Sequence, residues 1–98
     1  MNSVTTGLLI FDISDVRRYR KFYKIMDCFQ YRRIQKSVIE IEESEERIEI
    51  MLERLRKLIE DTEENVCYIP LCSEDMAKIT DLGVVISRES MEREYFVL

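Results

Sequence analysis

Leu8-Leu9-Ile10-Phe11 is a continuous apolar run that stops on a carboxylate, Asp12. A run without alternation predicts a strand buried on both faces or at the centre of a sheet, and Val4 to Thr6 can extend it. Val16, Tyr19, Phe22, Tyr23 and Met26 then recur at helical spacing. They predict a helix over about Asp15–Cys28, capped by Ser14 or Asp15, with its basic residues turned away from the apolar stripe. From Tyr31 to Glu42 the pattern changes to alternation, with Ile39 and Ile41 on one face and Ile34 on the opposite parity. The pairing phase has to change between them, so two strands are expected, joined by a tight turn or bulge near Gln35 to Ser37. Ser44 caps a second helix reaching about Asp61, with Glu45 and Glu46 in the first turn, where the helix dipole favours acids. Its buried stripe is Ile48, Met51, Leu52, Leu55, Leu58 and Ile59. After a polar loop, Thr62 to Asn65, the segment Val66–Pro70 reads as a fourth strand that Pro70 ends or places at an edge. Ser73 to Lys78 allows one helical turn, and Ile79 to Ile86 reads as a short strand broken at Gly83. The chain ends on Tyr95, Phe96, Val97 and Leu98, apolar residues that need either their own sheet or a neighbouring subunit to pack on.

Strand, helix, strand, strand, helix, strand is the α+β, ferredoxin-like βαββαβ sandwich, here with an extra C-terminal strand. One domain over 1–83 and a tail over 84–98 follow, and with 98 residues a partner subunit adds useful burial. That fold hosts many functions and decides none of them.

Charge changes the picture more than composition does. The formal net charge is -5, which argues against nucleic acid, but it is unevenly spread. Residues 16–36 carry eight basic side chains against one acid, and residues 40–64 carry eleven acids against four basic residues. A local field of one sign, not the total, decides which surface meets a polyanion, although the two halves also neutralise each other across the fold. The acidic second helix is a solvated outer face or a steering and partner surface. There is no histidine, so a general base has to be a carboxylate, a tyrosine, a lysine or a water activated by a metal. Cys28, Cys67 and Cys72 have no histidine or fourth cysteine to complete a structural zinc site and are expected to be buried or idle thiols. No apolar segment approaches the roughly 20 residues of a membrane span, and the start lacks a signal-peptide pattern, so a cytoplasmic protein without membrane contact is expected.

Asp12, at a strand end beside a helix start, is either a turn carboxylate or a group held by rigid elements that metal-assisted phosphate chemistry can use. Arg17, Arg18 and Arg20 crowd beside it as either a solvated helix face or phosphate contacts, and Arg33 and Lys36 flank the hairpin turn as the next candidates for nucleic acid. Gln35 and Ser37 shape that turn through side-chain to backbone hydrogen bonds.

Three stretches in register resemble one family, the Cas-two proteins, small CRISPR-associated endonuclease-like subunits of spacer acquisition. They are Phe11-Asp12-Ile13-Ser14-Asp15 with the arginine-rich helix after it, the hairpin Arg33-Ile34-Gln35-Lys36-Ser37-Val38, and Tyr68-Ile69-Pro70-Leu71-Cys72. The resemblance covers about residues 7–83 and departs from the family pattern at Phe11, usually tyrosine, at Phe29-Gln30-Tyr31, usually with a glycine, and at Ile39, usually phenylalanine. Two of these departures are expected to strip groups from the neighbourhood of Asp12: a hydroxyl at Phe11 and a ring at Ile39. The resemblance implies a homodimer in which the two copies of Asp12 face each other and share one Mg2+, giving an endonuclease that hydrolyses phosphodiesters of single-stranded RNA or double-stranded DNA. It also implies a partner, the Cas-one integrase, for which the dimer holds spacer DNA through arginine and lysine contacts, a role that needs no catalysis. A ribonuclease toxin of the same fold is the reading from outside that pathway.

Overall fold

The computed structural model of the chain describes residues 3–83. The expected C-terminal residues 84–98 lie outside them. β1 (Val4–Asp12), α1 (Val16–Met26), β2 (Tyr31–Gln35), β3 (Val38–Ser44), α2 (Glu45–Ile59), β4 (Asn65–Leu71) and the short α3 (Ser73–Ala77) follow in that order. The four strands form one antiparallel sheet in the order β2-β3-β1-β4. This is the ferredoxin-like arrangement expected, and both strands of the first hairpin, both long helices and the helical turn fall where the pattern placed them.

Alternation across the sheet decides where the core sits. On β1, Gly7, Leu9 and Phe11 are buried while Val4, Ile10 and Asp12 are exposed. Leu9 pairs with Ile39 and Tyr68, and Gly7 with Ile41 and Pro70, so one face is lined by apolar side chains from three adjacent strands. α1 and α2 close that face with Phe22, Tyr23 and Met26 from the first and Ile48, Met51 and Leu55 from the second. Phe11 and Phe22 stack tilted, 4.3 Å between ring centres, beneath the first helix.

Local chemistry sets the boundaries. Asp15, not Ser14, caps α1, its carboxylate accepting the Arg18 N–H at 3.0 Å. Ser14 instead lies in the turn between β1 and α1. Ser44 caps α2 through the Arg47 N–H, and Asp61 past its end takes φ +64°, the left-handed stop often left to glycine. β1 reaches back to Val4 because Thr5 and Thr6 donate their hydroxyls to the carbonyls of Glu43 and Leu71 on the two neighbouring strands. Gly7 is required where it stands. A Cβ there would lie 2.5 Å from the Tyr68 Oη and 2.6 Å from the Ile69 carbonyl oxygen, so Tyr68 fills the space that a side chain at position 7 would take.

One element differs from the pattern reading. Residues 79–83 do not form a strand. α3 carries the chain away from β4, Leu82 is 86% exposed, and Gly83 has φ +88°, which breaks any extended run. The apolar spacing of Ile79 and Leu82 is real, but no strand among the described residues pairs with it.

Candidate functional site

Asp12 is the last residue of β1, an inner strand, and it points to the face of the sheet that α1 and α2 leave uncovered. Its carboxylate is exposed and makes no hydrogen bond or ion pair with the described residues. On the same face, at the same parity, stand Leu8, Ile10, Val38 and Ile69, with Ile10 38% and Ile69 37% exposed. The same face also carries Glu40 opposite Leu8 and Glu42 opposite Thr6, so its apolar patch lies toward the end that holds Asp12.

The turn after Asp12 is held from outside. Ile13 is buried in the core, and the next two residues donate their backbone N–H groups to the carboxylate of Glu64, Ser14 at 2.9 Å and Asp15 at 2.8 Å. The Ser14 hydroxyl adds a longer contact at 3.4 Å, and the Arg18 guanidinium closes the cluster through Nε. The Glu64 side chain is 6% exposed. The Arg18 hydrogen bond, with help from the two backbone donors, holds its carboxyl at about 2, well below the usual 4.5, and burial opposes this. The same pair raises Arg18 above its usual value. Glu64 is itself aimed by the loop before β4: its N–H donates to the Thr62 hydroxyl, which in turn donates to the Ile59 carbonyl at the end of α2. No pattern in the sequence singles out Glu64, because its partners lie 46 to 50 positions away.

The basic candidates divide into three settings. Arg17 and Arg20 are exposed, and at about 100° per residue they share one face of α1 with Lys21 and Lys24. Lys21 and Lys24 complete the stripe. Arg18 lies about 100° round from Arg17, turned to Glu64 rather than to Asp12. Arg33 is 5% exposed and sits on the core face opposite Ile39. It donates to the carbonyls of Lys36 at 2.8 Å and Gln35 at 3.3 Å and to the Tyr19 hydroxyl at 3.2 Å, with its guanidinium 5.8 Å from the Tyr23 ring centre. The sequence marked it for nucleic acid; the structure gives it the work of bracing the hairpin turn. The register shift that brings it there lies between Arg33 and Gln35, where a phase change was expected, and Lys36 and Ser37 form the exposed turn. The Ser37 carbonyl, rather than its side chain, ties the turn to β1 by accepting the Phe11 N–H at 3.0 Å.

Phe11 is 2% exposed and Ile39 fully buried, both on the helix side of the sheet. Neither departure from the family pattern therefore takes a group from the face that carries Asp12. The three cysteines are free and exposed, not buried. Among the described residues no group of three or more histidine, cysteine, aspartate or glutamate side chains is placed to hold a metal ion, and no helix is long and apolar enough to cross a membrane. An open cleft of about 500 Å³ bounded by Arg32, Glu40, Glu42 and Met76 lies toward the other end of the same sheet face, about 13–20 Å along the strand from Asp12, and its Arg32 and Glu40 neutralise each other.

Residues 6–79 match the family described as CRISPR associated protein Cas2. A hypothetical protein from Thermus thermophilus, TT1823, shares the fold with a TM-score of 0.71 at 23% identity, covering 86% of this chain and 96% of that one. A crystal structure of cas2 has a TM-score of 0.65 at 22% identity, covering 88% of this chain and 92% of that one. A search of curated protein sequences gives no match.

Proposed function

The chain belongs to the Cas2 family of CRISPR-associated proteins, and from that premise we propose a homodimeric, nucleic-acid-binding subunit of spacer acquisition whose paired Asp12 residues serve Mg2+-dependent phosphodiester hydrolysis. The observation that carries this reading is the position of Asp12 at the rim of the sheet face opposite α1 and α2, beside an apolar patch at the end away from the short α3, which lies near Thr6 and Glu42. Pairing two copies of that face about a two-fold axis near the strand end buries Leu8, Ile10, Val38 and Ile69 and brings the two carboxylates toward each other. One carboxylate per chain is a poor site for a divalent cation. Two are well suited to Mg2+, which takes one or two carboxylates and fills its remaining positions with water and phosphate oxygens. When bound, the ion supplies Lewis acidity toward the phosphodiester. The chain's own contribution is to hold Asp12 on a rigid strand end, open to solvent and substrate at the rim of the paired faces, and to attract the polyanion with α1. With no histidine in the chain, proton transfer falls to a carboxylate, a tyrosine, a lysine or metal-bound water. The substrate is single-stranded RNA or double-stranded DNA, and the place of action is the cytoplasm.

Asp12→Asn tests the catalytic half. Cleavage of either substrate with Mg2+, absent with EDTA, should disappear in this variant while the dimer persists. Undiminished cleavage by Asp12→Asn would remove Asp12 from the chemistry.

A second reading has its own support. The Arg17, Arg20, Lys21 and Lys24 stripe lies on the helix layer, with the sheet between it and the Asp12 face. A duplex lying along α1 is therefore held away from the carboxylates, as a non-catalytic scaffold for the Cas-one integrase requires. In that case Asp12→Asn leaves spacer acquisition intact and reversing the charges of Arg17 and Arg20 stops it. The family match lends no support to a ribonuclease toxin.

A further inference from the structure

Four donors converge on one buried carboxylate at the start of α1, and that arrangement fixes more than a turn. The Glu64 side chain accepts the Ser14 and Asp15 N–H groups at 2.9 and 2.8 Å, the Ser14 hydroxyl at 3.4 Å, and the Arg18 guanidinium. Arg18 is held about 100° round the helix from Arg17 and is only 34% exposed, while Arg17, Arg20, Lys21 and Lys24 are exposed. The helix therefore carries five cations in its first nine residues but presents four of them together.

We infer that Glu64 is an internal anion that occupies Arg18, so that the polyanion-binding surface of α1 is Arg17, Arg20, Lys21 and Lys24, with Arg18 withheld. The inference rests on the reading of α1 as a nucleic-acid surface. A carboxylate with this donor set competes well against a phosphate for Arg18, because it is already held 6% exposed against the guanidinium and their hydrogen bond is charge-assisted. A phosphate in solution has to give up its own hydration to take the same guanidinium. The two backbone donors keep the carboxylate in place whether or not nucleic acid is present. Glu64 thus does for Arg18 what burial in the hairpin does for Arg33: it turns a basic residue of a basic segment to structural use.

The test is the salt dependence of duplex DNA binding by the purified protein, together with Glu64→Gln, Arg18→Gln and the double variant, each checked for folding by circular dichroism. Each phosphate contact contributes about -0.9 to the slope of log K against log salt. Arg18→Gln should leave the slope at the wild-type value. Glu64→Gln keeps an oxygen for the Ser14 and Asp15 N–H groups but frees Arg18, so its slope should steepen by about one and its affinity near 0.1 M salt rise by about five- to tenfold. In the double variant that gain should vanish. A purely structural Glu64 would not produce a steeper slope that depends on Arg18. The inference is overturned if Arg18→Gln loses about one from the slope, if Glu64→Gln shows no gain, or if the gain survives in the double variant. Should Glu64→Gln fail to fold, Arg18→Gln, which keeps the backbone clamp, still decides it. If the wild-type protein does not bind duplex DNA at low salt, the nucleic-acid reading of α1 fails and takes this inference with it.

Discussion

Arg33→Met separates a turn brace from a phosphate contact. Wild-type Arg33 is 5% exposed, and its guanidinium donates to two hairpin carbonyls, those of Lys36 and Gln35, and to the Tyr19 hydroxyl. Methionine keeps most of the apolar stem, so little volume is lost, and the change removes chiefly the donors. A hydrogen bond from a charged donor contributes about 1.5–3 kcal/mol, and an acceptor left buried costs about 1–3 kcal/mol. Lys36 is exposed, so its carbonyl regains water and part of that cost. The net loss is then about 2–3 kcal/mol. For a domain of this size each kcal/mol moves Tm by about 4–8 °C, so Tm should fall by roughly 8–24 °C. Thermal melts at fixed protein concentration measure this, since any self-association makes Tm depend on concentration. Below the transition, the salt slope of DNA binding should change by much less than one. A Tm within about 2 °C of wild type, together with a slope smaller by about one, would refute the reasoning and return Arg33 to the nucleic-acid surface.

Two further changes probe the sheet and the Glu64 cluster. Gly7→Ala places a Cβ against the Ile69 carbonyl as well as the Tyr68 Oη; it should destabilise by about 2 kcal/mol or more by overpacking, and Tyr68→Phe in the same chain should not restore the Tm because the carbonyl remains. Tyr68→Phe alone should hold or raise the Tm, because its hydroxyl is buried with no hydrogen-bond partner among the described residues. The Glu64 carboxyl titrates near 2 in the folded protein against an ordinary 4.5, so its ionised form contributes fully above about pH 4.5 and loses that contribution as pH falls toward 2. Glu64→Gln should therefore melt below wild type at pH 7, with the gap closing between pH 4.5 and 2; a gap that stays constant over that range would show that charge has no part in the clamp.

The parts of the fold legible in the sequence are those set by local pattern. The parity clash between Ile34 and Ile39 located the hairpin turn, because a two-residue period cannot slip without moving every side chain to the other face. Ser44 followed by two glutamates located α2 for the same local reason. Asp12 was legible as a carboxylate at the end of an apolar run, and the family resemblance gave it a role. Arg33 was read as a nucleic-acid contact although a signal for burial existed: it lies two positions from Tyr31 across from Ile39 and Ile41, and parity places it inward. Its charge outweighed that signal in the reading. Glu64 carried no signal, since a loop acid declares a partner only when the chain closes 50 positions of separation. The strand expected over 79–86 rested on apolar spacing alone, and spacing does not supply a neighbour to pair with.

The central claim is that two chains share one cation through Asp12, and calorimetric titration of Mg2+ into the purified protein tests it most directly. One ion per two chains is predicted, with binding lost in Asp12→Asn while sedimentation still reports a dimer. One ion per chain, or unchanged binding in Asp12→Asn, would contradict it.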